Sequence, residues 1–212
     1  MTKTTTAALS GSPSRLNSLA SHGIVRGSIG LTIISLVGFG FLYSLAGVGL
    51  GQALFPHTAN GSLIERDGKV IGSAPIAQPF VSDKYFQPRP SAGNYDPMAT
   101  AGSNQARTNP EMRKRLEDTR AAIAQREQID PTSVPGDLYT ESGGGLDPHI
   151  TVASAAIQVN RIAQARGIPR AEVDRLVAQH IEPKQLGVLG QARVNVLELN
   201  LALDALTAQA PH

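Results

Sequence analysis

The chain contains no cysteine, which excludes disulfides, a lipoprotein anchor, thiolate zinc sites and cysteine catalysis. Tryptophan is absent and aromatics make up only 4% of the residues, so a core has to be built from Leu, Ile, Val and Ala. Neither sign of charge dominates: 19 Lys and Arg stand against 17 Asp and Glu, a formal net charge of +2. A nucleic-acid-binding domain carries a stronger basic footprint. No G-x-S-x-G or H-E-x-x-H element is present, which removes the commonest signatures of a self-contained hydrolase. The most consequential absence is local. Between Arg26 and Glu65 there is no Asp, Glu, Lys or Arg.

That gap predicts a membrane span. Residues 29–50 are its densest part, and as a helix they reach about 33 Å at ~1.5 Å per residue, enough for a hydrocarbon core of ~30 Å. One charge at mid-span would cost about 2.5–3.5 kcal/mol. The segment before it carries Lys3, Arg15 and Arg26 and no acid, and positive residues are retained in the cytoplasm. The expected organisation is a disordered cytoplasmic tail over 1–26, a transmembrane helix over 27–55, and an extracytoplasmic soluble domain over 56–212. The alternative is a signal peptide cleaved near Ser44-Leu45-Ala46. Against it, the apolar run continues through Val48, Leu50, Leu54 and Phe55. Within the span, Gly40, Ser44, Gly47 and Gly51 fall at helical offsets on one face, a stripe that lets a partner helix approach closely.

For the soluble part the sequence predicts an α/β (α+β) fold, with a small sheet packed on three to four helices. Asp67-Gly68 lies between two β-compatible runs and reads as a two-residue hairpin turn. Residues 74–109 are rich in proline, yet hold Phe80, Tyr85, Phe86 and Tyr95. A loop carrying such scarce aromatics is ordered by packing. Asn109-Pro110-Glu111 starts a helix as N-cap, N1 and first-turn acid. Met112, Leu116, Thr119 and Ile123 are its inner stripe, and its charges, with a Glu111/Arg115 pair, form an exposed face. Thr151 caps a second helix that ends at Gly167, and a third covers about 169–180 with Val173, Leu176 and Val177 inward. These two helices imitate a DNA-binding pair, but Glu172 and Asp174 cancel Arg170 and Arg175. The last run, 194–206, starts with the alternation of a strand and continues as a buried helix; a helix is the preferred reading.

The most unusual string is Ser142-Gly143-Gly144-Gly145-Leu146-Asp147-Pro148-His149-Ile150. Glycine-rich turns before a helix can present backbone N–H groups to an anion, but this one lacks the lysine and spacing of a phosphate-binding loop. Asp147 and His149 at i,i+2 do not make a metal site, and the other histidines show no ligand spacing. The reading is an ordered turn, with Ser142, Gly143, Gly144, Gly145, Asp147 and His149 as candidate contacts for a partner or a nucleotide. No catalytic residue and no metal ligand is assigned. The enzyme alternative is a membrane-anchored periplasmic enzyme of unknown substrate.

Several strings, in their order and spacing, resemble the C subunit of the Kdp high-affinity potassium-transporting P-type ATPase of bacteria. They are Tyr85-Phe86-Gln87-Pro88-Arg89-Pro90-Ser91-Ala92, then Gly102-Ser103-Asn104 with Thr108-Asn109-Pro110, then 142–150. Gln158-Val159, residues 161–167 and residues 193–203 complete the set. The chain departs from the family's usual wording at some positions: Gln105-Ala106-Arg107 stands for Leu-Gly-Pro, Gly144 for Ser, Asn160 for Pro and Gln191-Ala192 for Glu-Pro. The resemblance implies a non-catalytic accessory subunit in a bacterial inner membrane. Its partners would be the pore-forming, ATP-hydrolysing and small accessory subunits of one transporter, with potassium as the transported ion. It further implies roles in assembly, at the pore entrance, and in raising the pump subunit's affinity for ATP, with ATP bound only as part of the complex.

Overall fold

The computed structural model describes residues 13–208. Contacts divide the chain into two compact units, Met1–Asn60 and Gly61–His212.

In the first unit the described residues form one long helix followed by a single turn. Helix α1 (Pro13–Ser35) runs into a π-helical stretch (Leu36–Tyr43) and on into α2 (Ser44–Leu54). The part of the tail over 1–12 lies outside the described residues, while from Pro13 onward the backbone is already helical. Proline sets the first-turn φ, and extending an existing helix avoids the cost of nucleating one. The other end stops at Phe55, φ −138°, because Pro56 bars the helical region to the residue before it. A single turn, α3 (Pro56–Ala59), follows, tied back by reciprocal amide bonds of 3.2 Å between Gln52 and Asn60. Residues Gly23–Leu54 contain an 18-residue window with a mean hydropathy of 2.0, and none of their positions is buried. That is one helix long and apolar enough to cross a membrane. At ~1.5 Å per residue it is about 48 Å long, which leaves length for tilt.

The second unit opens with the expected hairpin, β1 (Leu63–Arg66) against β2 (Lys69–Ser73), with Arg66 opposite Lys69. Asp67 (φ 53°) and Gly68 (φ 72°) both take the left-handed conformation that a two-residue turn of this hand requires. Helix α4 (Pro110–Glu127) is capped by the Asn109 side chain, which accepts from the Glu111 and Met112 amides. After a 3₁₀ turn (Pro131–Ser133) and the one-turn helix α5 (Gly136–Tyr139), the chain forms β3 (His149–Thr151). Thr151 then accepts from the Ser154 amide to start α6 (Val152–Arg166), which ends at left-handed Gly167. Helix α7 (Arg170–Gln179), β4 (Ile181–Glu182), β5 (Arg193–Asn195) and α8 (Val196–Ala208) complete the fold. The second sheet is antiparallel in the order β3-β5-β4.

The ambiguous C-terminal run is therefore both things in succession. Val194 pairs in β5, and Asn195 converts strand to helix by accepting from the Leu197 and Glu198 amides at 3.1 and 3.2 Å. The fold class is the expected mixture of helices and small sheets, with two sheets where one was anticipated. Its core joins Ile150 and Val194 of the sheet to Val159 and Ile162 of α6, Val173 of α7, and Leu199 and Leu203 of α8. Each such side chain contributes about 1.5–3 kcal/mol by leaving water.

Two details of α4 depart from the sequence reading. Arg115 pairs not with Glu111 but with Glu141, at 3.5 Å. Glu127, counted with the exposed charges, is buried. Both follow from the surface that α4 packs against, which helical spacing does not reveal.

Candidate functional site

Gly40 lies in the π-helical stretch, and Ser44, Gly47 and Gly51 lie on α2. From Gly23 to Leu54 no position of the helix is buried. A Cβ added at Gly40 or Gly47 would meet nothing within 4 Å, and one at Gly51 would only graze the Ala59 methyl at 4.0 Å. The stripe is thus a set of open notches on a bare apolar cylinder.

In the second unit, residues 83–89 form an irregular strap that opens in a turn at Asp83–Lys84 and belongs to neither sheet. Buried backbone polar groups need partners, and here side chains supply them. Asn200 on α8 accepts from the Phe86 amide and donates to its carbonyl, both at 2.9 Å. Gln158 on α6 does the same for Gln87, at 2.8 and 3.2 Å. Arg161 donates to the Tyr85 carbonyl at 3.0 Å and to that of Asp83. Its Nε is held by the Glu127 carboxylate at 3.0 and 3.1 Å. Burial pushes the Arg161 pKa down, against the upward pull of Glu127. The Phe86 ring is fully buried beneath this arrangement.

The strap ends at Arg89, and there the glycine-rich string meets it. Ser142 and Gly145 are buried while Gly143 and Gly144 are exposed. Gly145 has φ +71°, and a Cβ there would lie 2.9 Å from both the Ala101 carbonyl and Ser91 Oγ. A Cβ on Gly102 would meet the Gly143 carbonyl at 2.8 Å. Glycine is needed because two loops touch backbone to backbone, as an ordered turn demands.

Asp147 and His149 do come together. Asp147 Oδ1 accepts from the His149 amide at 3.0 Å and lies 3.2 Å from its Nδ1, while Oδ2 accepts from Arg89 at 3.0 Å. Burial would raise the Asp147 pKa, but the His149 ring and amide and the Arg89 guanidinium outweigh it and hold it at about 2. On the other side His149 Nε2 is 3.4 Å from Glu182, whose second oxygen accepts from Arg193 at 2.8 Å. Nearby, Asp137 accepts from the Thr151 amide and the Ser154 hydroxyl at 2.7 and 2.6 Å. Arg89, Asp137, Asp147, His149, Thr151 and Arg193 are among the residues lining a cavity of about 190 Å³. Among the described residues no group of three or more His, Asp or Glu is placed to hold a metal ion. The arrangement can hold strap, loop and sheet together. Sequence spacing joined Asp147 to His149. It missed Arg89, Asp137, Glu182 and Arg193, which lie far off in the chain.

The Asp147 pKa has a consequence for acid stability. A carboxyl held below its ordinary value of 3.8 stabilises the fold above that pH. The contribution disappears as pH falls toward about 2. Asp147→Asn should therefore lower the urea midpoint at neutral pH, and the gap from the parent chain should narrow steadily below about pH 4. The side chain is about one-third exposed, so solvent screening keeps the effect modest.

Comparison with known proteins bears on the whole chain. Residues 25–205 match the family model "KdpC: K+-transporting ATPase, c chain". A "Potassium-transporting ATPase KdpC subunit" from Xanthomonas campestris pv. campestris (strain B100) is 54% identical over 186 residues, covering 88% of this chain and 89% of that protein. One of the same description from Shewanella putrefaciens is 50% identical over 186 residues, covering 88% and 92%. A third, from Sorangium cellulosum, is 48% identical over 168 residues, covering 78% and 88%. The match takes in both the apolar helix and the domain built around the strap, so the chain belongs to the KdpC family, the c chain of the K+-transporting ATPase.

Proposed function

We propose that the chain is a non-catalytic accessory subunit of an ATP-driven potassium import complex, bound to its partners through its membrane helix and acting from outside the membrane on assembly and at the pore entrance. The observation that carries this reading is the helix Gly23–Leu54, apolar and unburied, with open notches at Gly40 and Gly47. A bare helix in lipid gains little from its apolar surface alone, whereas small residues let a neighbouring backbone come close.

The basic residues at its N-terminal end, Arg15 and Arg26 among them, orient the helix with the N-terminus in the cytoplasm of a bacterial inner membrane. In that orientation residues 1–26 lie inside, 27–55 span, and 56–212 lie outside. ATP is cytoplasmic, so the loop from Ser142 to His149 meets a partner subunit rather than the nucleotide. ATP hydrolysis belongs to a partner, and a raised ATP affinity there is a chaperone-like effect of assembly.

Changing both Gly47 and Gly51 to Leu places large side chains where a backbone must approach. Overpacking of this kind costs about 1–3 kcal/mol, enough to lower co-purification of the partner subunits several-fold from gently solubilised membranes. An unchanged yield would exclude this face as the interface. A compartment-specific reporter fused at His212 checks the orientation independently: activity only in the cytoplasm would sink it.

A further inference from the structure

We propose that the turn between β4 and β5 is a second, weak membrane contact, in which Leu186, Val188 and Leu189 dip into the lipid interface while Lys184 meets lipid phosphates. The proposal rests on the reading of Gly23–Leu54 as a membrane span. Three large apolar side chains stand exposed within four residues: Leu186 at 89%, Val188 at 76% and Leu189 at 56%. Val81 and Met98 are as exposed but stand singly, which is ordinary, whereas a contiguous apolar group marks a surface that something covers. Leu186 also has φ 52°, a conformation uncommon for a residue with a side chain, and its side chain buries almost nothing in return.

The turn is tightly closed. The Gln185 amide donates to the Leu189 carbonyl and the Leu189 amide to the Gln185 carbonyl, both at 2.9 Å, and Gly187 (φ 76°) completes the reversal. Its charge is of one sign. From Pro183 to Leu197 there is no acid. Arg193 is engaged by Glu182 at 2.8 Å, which leaves Lys184 as the exposed cation of the turn. Apolar side chains beside a cation suit the edge of a bilayer: the former enter ~5–10 Å, to the boundary of headgroups and acyl chains, and the latter stays with the phosphates.

Size and tether favour lipid over protein as the occupant. A turn this small is too little for a stable protein interface, which buries about 1,200 Å² or more. A chain already held by a membrane helix needs only a weak second contact, because the tether keeps lipid at high local concentration. The tether is short. Asn195, the last residue of β5, donates to the Ala74 carbonyl at 2.8 Å, and the Ala74 amide donates to the Ser62 carbonyl at 3.0 Å. Ser62 follows closely on Leu54 in sequence, as Leu189 precedes Asn195. At ~3.5 Å per residue each of these two stretches spans less than about 30 Å, so chain length permits the turn to reach the surface from which the helix emerges.

The chain has no tryptophan, so Leu186→Trp gives a single indole signal from the turn. The test places the full chain in vesicles of phosphatidylcholine and phosphatidylglycerol whose acyl chains carry bromine, a contact quencher, either near the headgroup or near the bilayer centre. Leu186→Trp should lose about half its emission to the shallow bromines, while Lys114→Trp, on the exposed face of α4, should lose none. Leu45→Trp, in the span, should be quenched in every case; if it is not, the membrane reading fails and the proposal with it. Quenching of Leu45→Trp without quenching of Leu186→Trp would overturn the second contact alone. Adding Val188→Asp and Leu189→Asp to Leu186→Trp should abolish the effect; quenching that persists would report the indole's own affinity for lipid and overturn the proposal. Lys184→Glu should weaken the lipid-bound state about fivefold, the effect of one lipid-facing cation, and an unchanged signal would overturn the phosphate contact. A blue-shifted Leu186→Trp emission that lipid bromines never quench, seen only in the complex with the partner subunits, would seat the turn on protein and overturn the proposal as well.

Discussion

Replacing Glu127 with alanine is expected to destabilise the Gly61–His212 unit by about 3–5 kcal/mol, the cost of unpairing a buried charge. The carboxylate is 0% exposed and Arg161 only 8%. Arg126 adds a third contact through Nε at 2.7 Å. Without Glu127 the Arg161 guanidinium stays buried, still fixed to the strap carbonyls, with its principal counter-charge gone. Arg161→Met should also be destabilising, for a complementary reason: it leaves Glu127 to Arg126 alone and leaves the Asp83 and Tyr85 carbonyls without their donor. The double variant should be less damaged than the two single losses added together, because the charge penalty is common to both. Urea titration of the full chain, followed by circular dichroism, measures all three. Strict additivity would mean that the pair is not coupled and that the strap is held by other means.

Replacing Phe86 with alanine is expected to cost about 3–5 kcal/mol as well, through lost burial and a cavity that the surroundings only partly close. The Phe86 backbone is fixed on both its donor and its acceptor by Asn200, and its neighbour Gln87 by Gln158. The strap cannot slide inward to fill the void without breaking those bonds. The loss should therefore fall in the upper half of the range, read as a lower urea midpoint with little change in slope. A cost near 1 kcal/mol would show that the strap relaxes freely and that its side-chain pins are weak.

Local signals were legible where the chemistry is local. The Asp67-Gly68 turn, the Asn109 and Thr151 caps and the Gly167 terminus each depend on a few adjacent residues, and all appear as read. The run 194–206 resisted a single reading because one asparagine, Asn195, ends a strand and begins a helix within it. The candidate site was half legible. Asp147 and His149 sit two residues apart, so their contact followed from spacing. Glu182 and Arg193 reach the same site only because β5 pairs with β3 on one side and β4 on the other.

The sequence by itself determined that this protein carries one apolar helix fit for a membrane and a mixed soluble unit. An uncharged run, helical periods and caps are properties of neighbouring residues, so they survive without tertiary contacts. The tertiary structure alone decided that Gln158, Arg161 and Asn200 clasp a strap 71 to 114 positions away. It also decided that Glu127, on a helix that reads as solvated, is the buried counter-ion of that clasp. No local pattern encodes such pairings, because a polar side chain's partner is set by which surfaces pack together. A strap outside both sheets needs those partners, since its buried amides and carbonyls have no ladder to join.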